Sequence, residues 1–565
     1  MKRILAIILT AVMLVGCIGI LASCGAPEVQ STIVDGKFDP AITITWAYPF
    51  VGSGQETVDH HKDADGNPDW TTADTSWTRL AQEQYGIKMK LEWEIHDGGA
   101  YIDKLNNAVF LGEIPDYVNC LYDTFAIDFV KKLYDADLIQ SIDEAIEQYA
   151  CEDYKDAIEY VGEQVFYSAT FGGKIYALPH IVVGNSKNVV WWIRQDWLDN
   201  VNKTVPTDWD EFKDVMMSFA NQDPDGNNID DTYGLAINLG DMGAGSNMFF
   251  NAFGIFPGQW ILNEETGKLE HGSVQPGMKN ALAELRDLYM SGAVYSLEED
   301  QNALYGGCYT GVMQGKAGCL ENTTNYVNVF KNLKRQNSDV EFTAFTLFRE
   351  DGGDPVISSS LSTFRQYVVS AKCKYPAVSV ILMNMFCDIE AAAEDDIAIQ
   401  EEYMYSKDGT AHYYNLAPAI TQRVSGDNKG IAERIREALE TGDESVLKAG
   451  QDRQVYDNVK NYLDTGNVNN WYWERMYGLD GANLKVADAG YERFITLYQG
   501  AKTDNMLTYE TEISAAFTIG MIQIVIGETE LDTFDTMVEA WYEGGGTEIT
   551  ADVNAWYAEM TGATE

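Results

Sequence analysis

The sequence predicts an α/β protein of more than one lobe, and three observations carry that reading. Its 565 residues, 45% of them hydrophobic, exceed what one core usually organises, at roughly 100 to 200 residues per domain. Lys88 to Ile95 alternates without a break, with Met89, Leu91, Trp93 and Ile95 on one face and Lys88, Lys90, Glu92 and Glu94 on the other. That is the period of a half-buried strand. Around it the element types alternate. The β-branched run Ile42-Thr43-Ile44-Thr45-Trp46-Ala47 reads as a strand and Trp77 to Tyr85 as a helix. A further helix precedes the buried run Tyr117-Val118-Asn119-Cys120-Leu121. Strand, helix, strand, helix, strand implies a parallel sheet with right-handed crossovers.

Ahead of the first strand, Met1-Lys2-Arg3 is a positive start, and Ile4 to Ser23 is almost entirely apolar or small. This is a secretory address. Leu21-Ala22-Ser23-Cys24 has the pattern of a bacterial lipoprotein signal, which puts an acyl chain such as palmitate on Cys24. Leu14-Val15-Gly16-Cys17 matches as well, but cleavage there would leave Ile18-Gly19-Ile20-Leu21 as an apolar start. An uncleaved anchor is the third reading, since about 20 apolar residues span a bilayer. All three place the body outside the cytoplasm, at the extracellular face of the cell membrane. Residues 1–23 are then the signal peptide and 24–39 a polar tether.

Further along, Pro206-Thr207 supplies a helix cap, Asp208, Asp210 and Glu211 load the positive end of the dipole, and Phe212, Val215, Met216 and Phe219 form one face. Val553, Trp556, Tyr557 and Met560 take helical spacing after Thr550, giving a short amphipathic helix docked on the last lobe. Residues 390–461 are polar and acidic and read as surface helix. Beyond the two N-terminal cysteines, six remain: Cys120, Cys151, Cys308, Cys319, Cys373 and Cys387. They lack C-x-x-C spacing, so neither a zinc site nor a required disulfide is expected.

Charge narrows the function. Asp plus Glu number 87 against 39 Lys plus Arg, a net charge of -48, and such a field repels nucleic acid and anionic lipid. The same field argues against a polyanionic sugar such as a uronate oligomer, an argument that a local Arg reverses. Catalytic signatures are absent: neither H-E-x-x-H nor G-x-S-x-G occurs, and Gly311 to Ala317 is one residue short of a phosphate loop and lacks its hydroxyl. Adjacent His60 and His61 read either as metal ligands or as solvated loop residues.

The loop Asp223-Pro224-Asp225-Gly226-Asn227-Asn228-Ile229-Asp230-Asp231 places oxygen donors at alternate positions, as Ca²⁺ requires. Asp223, Asp225, Asn227, the Ile229 carbonyl and Asp231 would form the cage. Asn228 stands at the sixth position, where a turn of positive φ is wanted, and Gly234 replaces the distal Glu. A solvated acidic turn that caps a helix is the other reading. Asp63 to Asp69 has similar spacing, but Pro68 cannot take the turn, so it is a loop.

Thirteen Trp and 32 Tyr are the other supply of chemistry. Trp46 and Tyr48 at a strand end, Trp191-Trp192, and Trp471-Tyr472-Trp473 lie in polar company, where flat faces can stack on sugar rings. Ordinary packing is the competing reading at each, and Trp197 and Trp209 are assigned to core.

Several of these pieces together resemble the family 1 extracellular solute-binding lipoproteins of ABC importers. They are Gly172 to Pro179 (GGKIYALP), Trp192 to Asp199 (WIRQDWLD), Pro206 to Phe212, Asp223 to Gly234, Met313 to Gly318, Val369 to Pro376 and Ile524 to Gly527. The resemblance implies a two-lobed, periplasmic-binding-protein-like α/β fold whose lobes close by hinge motion on a ligand in the cleft. It divides the chain into a first lobe of 40–180 and 366–470 and a second of 181–365 and 471–565. The first crossing would fall near His180 to Asn185, bringing Tyr48, His180 and Trp191 to the cleft.

The implied function is a lipid-anchored, non-enzymatic, monomeric receptor that captures an oligosaccharide and delivers it to ABC permease subunits. The chain's length is similar to that of oligosaccharide-binding members, some of which hold structural Ca²⁺ in the loop that Asp223 to Asp231 matches. Two alternatives stand beside it: a secreted glycan hydrolase, and a receptor of the same fold for peptide or another solute.

Overall fold

The computed structural model describes residues 31–49, 54–62, 65–67, 69–183, 189–240, 245–295, 308–359, 363–406, 411–424, 428–448 and 450–562. The signal, Cys17, Cys24 and the start of the tether lie outside the described residues. Nine strands frame the two lobes. They are β1 (Ile42–Pro49), β2 (Ile87–Ile95), β3 (Tyr117–Tyr122), β4 (Ala177–Ile181), β5 (Val189–Arg194), β6 (Tyr233–Ala236), β7 (Ala317–Thr323), β8 (Phe342–Phe345) and β9 (Thr363–Val369).

The first sheet has the order β2-β1-β3-β9-β4. β1 runs parallel to β2 and to β3, as the sequence leads one to expect. β9 is the exception, antiparallel to both β3 and β4. Its direction follows from where the chain has been: it returns from the other lobe, so it enters the sheet at the end where β1 and β3 leave it. Trp77 in the helix Ser76–Gln84 is fully buried and stacks on Phe386 at 5.5 Å. The helix begins at Thr75, whose hydroxyl and that of Thr78 cap each other's backbone N–H groups.

The second sheet has the order β6-β7-β5-β8, with β5 antiparallel to both neighbours. The helix Trp209–Asn221 covers it with Phe212, Val215, Met216 and Phe219. Its cap is Asp208 rather than Thr207: the Asp208 carboxylate accepts the Glu211 N–H at 2.9 Å, and Thr207 donates back to Glu211. Gly318 in β7 shows why a glycine stands there. A Cβ would lie 2.4 Å from the Phe219 ring and 2.7 Å from Trp197, both of them core.

The chain leaves one lobe after residues 183, 359 and 424 and is in the other by residues 189, 363 and 428. The last of these departs from the sequence reading. The helices Asn428–Thr441 and Gln451–Thr465 bury Ile431, Ala432, Ile435, Val455, Tyr456 and Val459 in the second lobe's core, beside Trp192 and Phe330. Their polar composition hid an apolar stripe, so they are not the surface helices of a first lobe extending to 470. The segment that returns to the first lobe likewise includes Thr363, three residues before the expected boundary at 366. The C-terminal helix, Thr547–Thr561, packs on the second lobe through Ile549 and Val553. Among the described residues no helix is long and apolar enough to cross a membrane. Cys120, Cys151, Cys319, Cys373 and Cys387 are free thiols.

Candidate functional site

Two arrangements occupy the region between the lobes. The first is a cavity of about 720 Å³ with walls from both, within the ~300–1,000 Å³ usual for small-ligand sites. The first lobe contributes Asp128, Lys131 and Tyr134 from the helix Asp123–Asp135, then Tyr167 and Phe171. The second contributes Tyr498, Lys502 and Asp504, then Trp556 and Glu559 from the last helix. The rings are held edge to face: Trp556 stands 4.8 Å from Tyr498 and 6.3 Å from Tyr167 across the lobe boundary, while Tyr134 stacks on Phe171 at 4.6 Å. Flat apolar faces with interleaved charges and hydroxyls suit a ligand with both C–H patches and polar groups.

The second arrangement lies at the carboxyl ends of the first sheet, the usual place for ligands in open α/β sheets. Tyr48, next to last in β1, is 3% exposed and backed by Trp46, whose ring centroid is 5.4 Å away. Its hydroxyl accepts a hydrogen bond from Arg365 Nη1 at 3.2 Å and donates to the Asn415 carbonyl. Arg365 lies two residues after the start of β9, and the nearby Tyr367 hydroxyl accepts the Ile420 N–H at 3.0 Å. Tyr414 lies close enough for Arg365 to act on its ionisation.

In the second lobe, Glu321 near the end of β7 is 1% exposed. Oε2 accepts the Met248 N–H at 2.6 Å, at the start of the helix Asn247–Ala252. Oε1 finds no hydrogen-bond partner among the described residues. Burial pushes the carboxyl up to about 7, against the downward pull of the Met248, Asn247 and Gly245 backbone N–H groups.

The structure scatters the aromatic residues singled out from sequence. Trp46 and Tyr48 stay at the strand end, with Trp46 1% exposed beneath Tyr48. His180 is the next to last residue of β4 and half-buried. Trp191 and Trp192 are core, which corrects their assignment to ligand: β5 is covered on both faces, and successive residues fill opposite ones. Trp191 packs against Phe212 and Phe345, whereas Trp192 packs against Phe330 and donates to the Thr323 carbonyl at 3.0 Å. Trp471 is also core, fully buried and donating to Glu341 at 2.9 Å. Trp473 is partly buried against Tyr472 and Tyr477, away from either arrangement. Trp46 and Tyr48 are themselves buried, so the strand-end position does not make either ring an open stacking face.

Residues that matter here and were missed in sequence are Tyr134, Tyr167, Tyr498 and Arg365. For Arg365 a signal existed, a lone cation in the otherwise uncharged strand Thr363-Phe364-Arg365-Gln366-Tyr367-Val368-Val369.

The acidic loop is compact. Asn227 Nδ2 donates to Asp225 at 2.8 Å and Asp231 at 3.3 Å, and the Asn227 and Asn228 N–H groups donate to Asp223. The Ile229 N–H donates to Asn227 Oδ1 at 2.6 Å. Asn228 takes φ 61°, the left-handed turn that the sixth position needs. Burial raises the Asp225 pKa, and the Asp223 and Asp231 carboxylates add to it. Among the described residues no group of three or more His, Cys, Asp or Glu side chains is arranged to hold a metal ion. His61 is buried, whereas His60 is exposed. His61 stacks on Trp70 at 3.8 Å and pairs with Asp69 at 2.6 Å and Glu402 at 3.6 Å, while His60 bonds Tyr413.

No protein-family model matches the chain. It is 23% identical over 504 residues to the lipoprotein LipO of Bacillus subtilis, covering 86% of this chain and 89% of that one. It is 25% identical over 245 residues to the polygalacturonan/rhamnogalacturonan-binding protein YtcQ of the same organism, covering 42% of this chain and 45% of YtcQ. Among solved structures, an HMO-binding, ABC-transporter-associated solute-binding protein from Bifidobacterium longum infantis aligns over 92% of this chain and 99% of its own, with TM-score 0.58 and 15% identity. An EF-hand mutant of the Streptococcus pneumoniae ABC-transporter substrate-binding protein FusA, in complex with fructo-nystose, aligns over 93% and 100%, with TM-score 0.52 and 15% identity. The fold is therefore that of the two-lobed solute-binding proteins.

Proposed function

We propose that this chain is the substrate-binding lipoprotein of an ABC importer, which captures an oligosaccharide between its lobes and hands it to membrane permease subunits. The observation that carries the reading is the cavity of about 720 Å³ whose aromatic walls come from both lobes. Such a site assembles on closure and dissolves on opening, which capture and release demand. The relatives support it. Those with a named ligand bind carbohydrate, and one with near full-length coverage is a lipoprotein. The molecule acts as a receptor rather than a catalyst, anchored through lipid on Cys24 at the extracellular face of the membrane.

The loop Asp223 to Asp231 is the second element of the proposal. Its donor types, three carboxylates and the Asn227 amide oxygen, are those a hard divalent cation takes, and binding would have to draw them closer than they stand now. Burial is the main cause that raises the Asp225 pKa, and the smaller repulsion from Asp223 and Asp231 is charge that Ca²⁺ would neutralise. The residues that would hold it are Asp223, Asp225, Asn227, Ile229 through its carbonyl, and Asp231. The ion would brace the end of the helix Trp209–Asn221 without taking part in ligand chemistry.

A thermal-shift screen of the purified protein against neutral and acidic oligosaccharides, with chromatography of every hit, tests the main reading. An upward shift with the glycan left intact is the expected result. Shortened products would make the protein a hydrolase, and the absence of any shift across the panel would remove the carbohydrate reading.

A further inference from the structure

We propose that Arg365 is the residue through which the cleft reads a carboxylate, so that the captured glycan is an oligosaccharide bearing uronic acid. The inference rests on the receptor reading above and adds the substrate class.

Arg365 stands out against the chemistry of its own chain. Acidic residues outnumber basic ones by more than two to one, and other buried or half-buried arginines have found a carboxylate: Arg194 with Asp196, Arg423 with Asp153 and Glu394, Arg434 with Asp452. Arg365 has not. Its hydrogen bond goes to the Tyr48 hydroxyl with the Tyr367 hydroxyl close by, and no carboxylate pairs with it among the described residues. A guanidinium crowded by protein and left without a counter-ion is expensive, because burial removes the water that would otherwise stabilise the charge. Bonding to neutral phenols offsets only part of that.

The arrangement is also aimed. One Nη1–H is committed to Tyr48, whose ring is fixed by Trp46 behind it and whose own proton goes to the Asn415 carbonyl. Tyr48 is therefore a satisfied brace rather than a ligand contact. The remaining N–H groups of the planar fork include a pair suited to a carboxylate's two oxygens. Arg365 is partly exposed at the strand ends beside the crossing, with Tyr414 and Asn415 also reaching solvent next to it. A uronate docked there would place its carboxylate on the fork and its ring beside Tyr414.

The net charge of -48 does not oppose this. A field summed over the whole surface is screened beyond about 8 Å at physiological salt, whereas a contact ion pair in a sheltered cleft is not. The field slows the approach of an anionic glycan, and Arg365 decides whether it stays.

The test uses the full-length protein in detergent, with titration calorimetry against uronate oligosaccharides. Oligogalacturonate, alginate fragments and glucuronate-bearing xylan fragments are each paired with their methyl ester, which keeps the backbone and removes the charge. The expected result is that at least one acid form binds about tenfold or more tighter than its ester. Arg365→Gln should then weaken the acid form by about tenfold to a hundredfold and leave the ester unchanged. Arg365→Lys, which keeps the charge but loses the fork, should fall between. Near-ultraviolet circular dichroism checks that each variant is folded, and the acid-to-ester ratio of the unmutated protein is a readout that needs no variant. Esters or neutral oligosaccharides binding as tightly as the acids would overturn the inference while leaving the receptor reading intact. So would equal weakening of both forms by Arg365→Gln. If no glycan of any charge binds, both readings fall together.

Discussion

The Asp128 carboxylate accepts the backbone N–H of Lys502 at 2.8 Å, joining residues 374 positions apart. One belongs to the first lobe and the other to the second, and both line the cavity. The bond forms only when the lobes approach, so it behaves as a latch. Asp128→Ala should raise the fraction of open protein, read as an increased radius of gyration in small-angle scattering without ligand. A net hydrogen bond of about 1 kcal/mol makes the matching loss in ligand affinity about fivefold. An unchanged scattering profile would mean that the contact contributes nothing to closure.

Two tryptophans separate binding from folding. Trp471 is fully buried with its N–H on Glu341, so Trp471→Ala should cost about 3–5 kcal/mol of stability in chemical denaturation. Trp556 is partly exposed in the cavity wall. Trp556→Ala should leave the unfolding free energy within about 1 kcal/mol of the parent yet reduce glycan affinity at least tenfold. The reverse pattern would move the ligand away from this cavity.

Stability should fall between pH 5 and 8. Glu321, pushed from 4.5 to about 7 by burial, stays protonated in the fold over a range where the unfolded chain ionises. Its contribution is intact below about pH 4.5 and is lost as pH rises through about 7, on the order of 3 kcal/mol in all. His61 acts in the same direction. Burial lowers its pKa, but hydrogen bonds and charges from Glu402 and Asp69 outweigh that and leave it raised. Its contribution is full below 6.5 and disappears above the folded value. Thermal melts at half-unit intervals should show the decline, flattened in part by Glu321→Gln and in part by His61→Gln. A melting temperature level across this window would contradict both assignments.

Calcium should raise the melting temperature of the parent protein by linkage, and chelator should abolish the increase. Asp225→Ala should lower the melting temperature when Ca²⁺ is present and have little effect in chelator. Equal destabilisation in both conditions would leave the loop as a capping turn held by its Asn227 hydrogen bonds.

Local pattern was sufficient for much of the architecture. The alternation of Met89, Leu91, Trp93 and Ile95 fixed β2 and its buried face, and Phe212, Val215, Met216 and Phe219 marked a helix that covers the second sheet. The α/β class followed from the order of elements, and positive φ at Asn228 from the residue type. These are properties of neighbours in sequence, where steric preference and hydrophobic period act over a few residues.

What the tertiary structure alone decided is partnership between distant residues. Whether an indole faces ligand or core depends on what covers its strand: Trp191 and Trp192 look alike in sequence, yet a sheet packed on both faces buries both. The helices after residue 428 look like surface until Trp192 and Phe330 supply a core for their apolar stripes. Arg365 meets Tyr48 across 317 residues, and that meeting depends on β9 returning antiparallel from the second lobe. Side-chain chemistry is written in the chain, but burial and proximity arise only when the lobes fold, because both are set by which surfaces exclude water together.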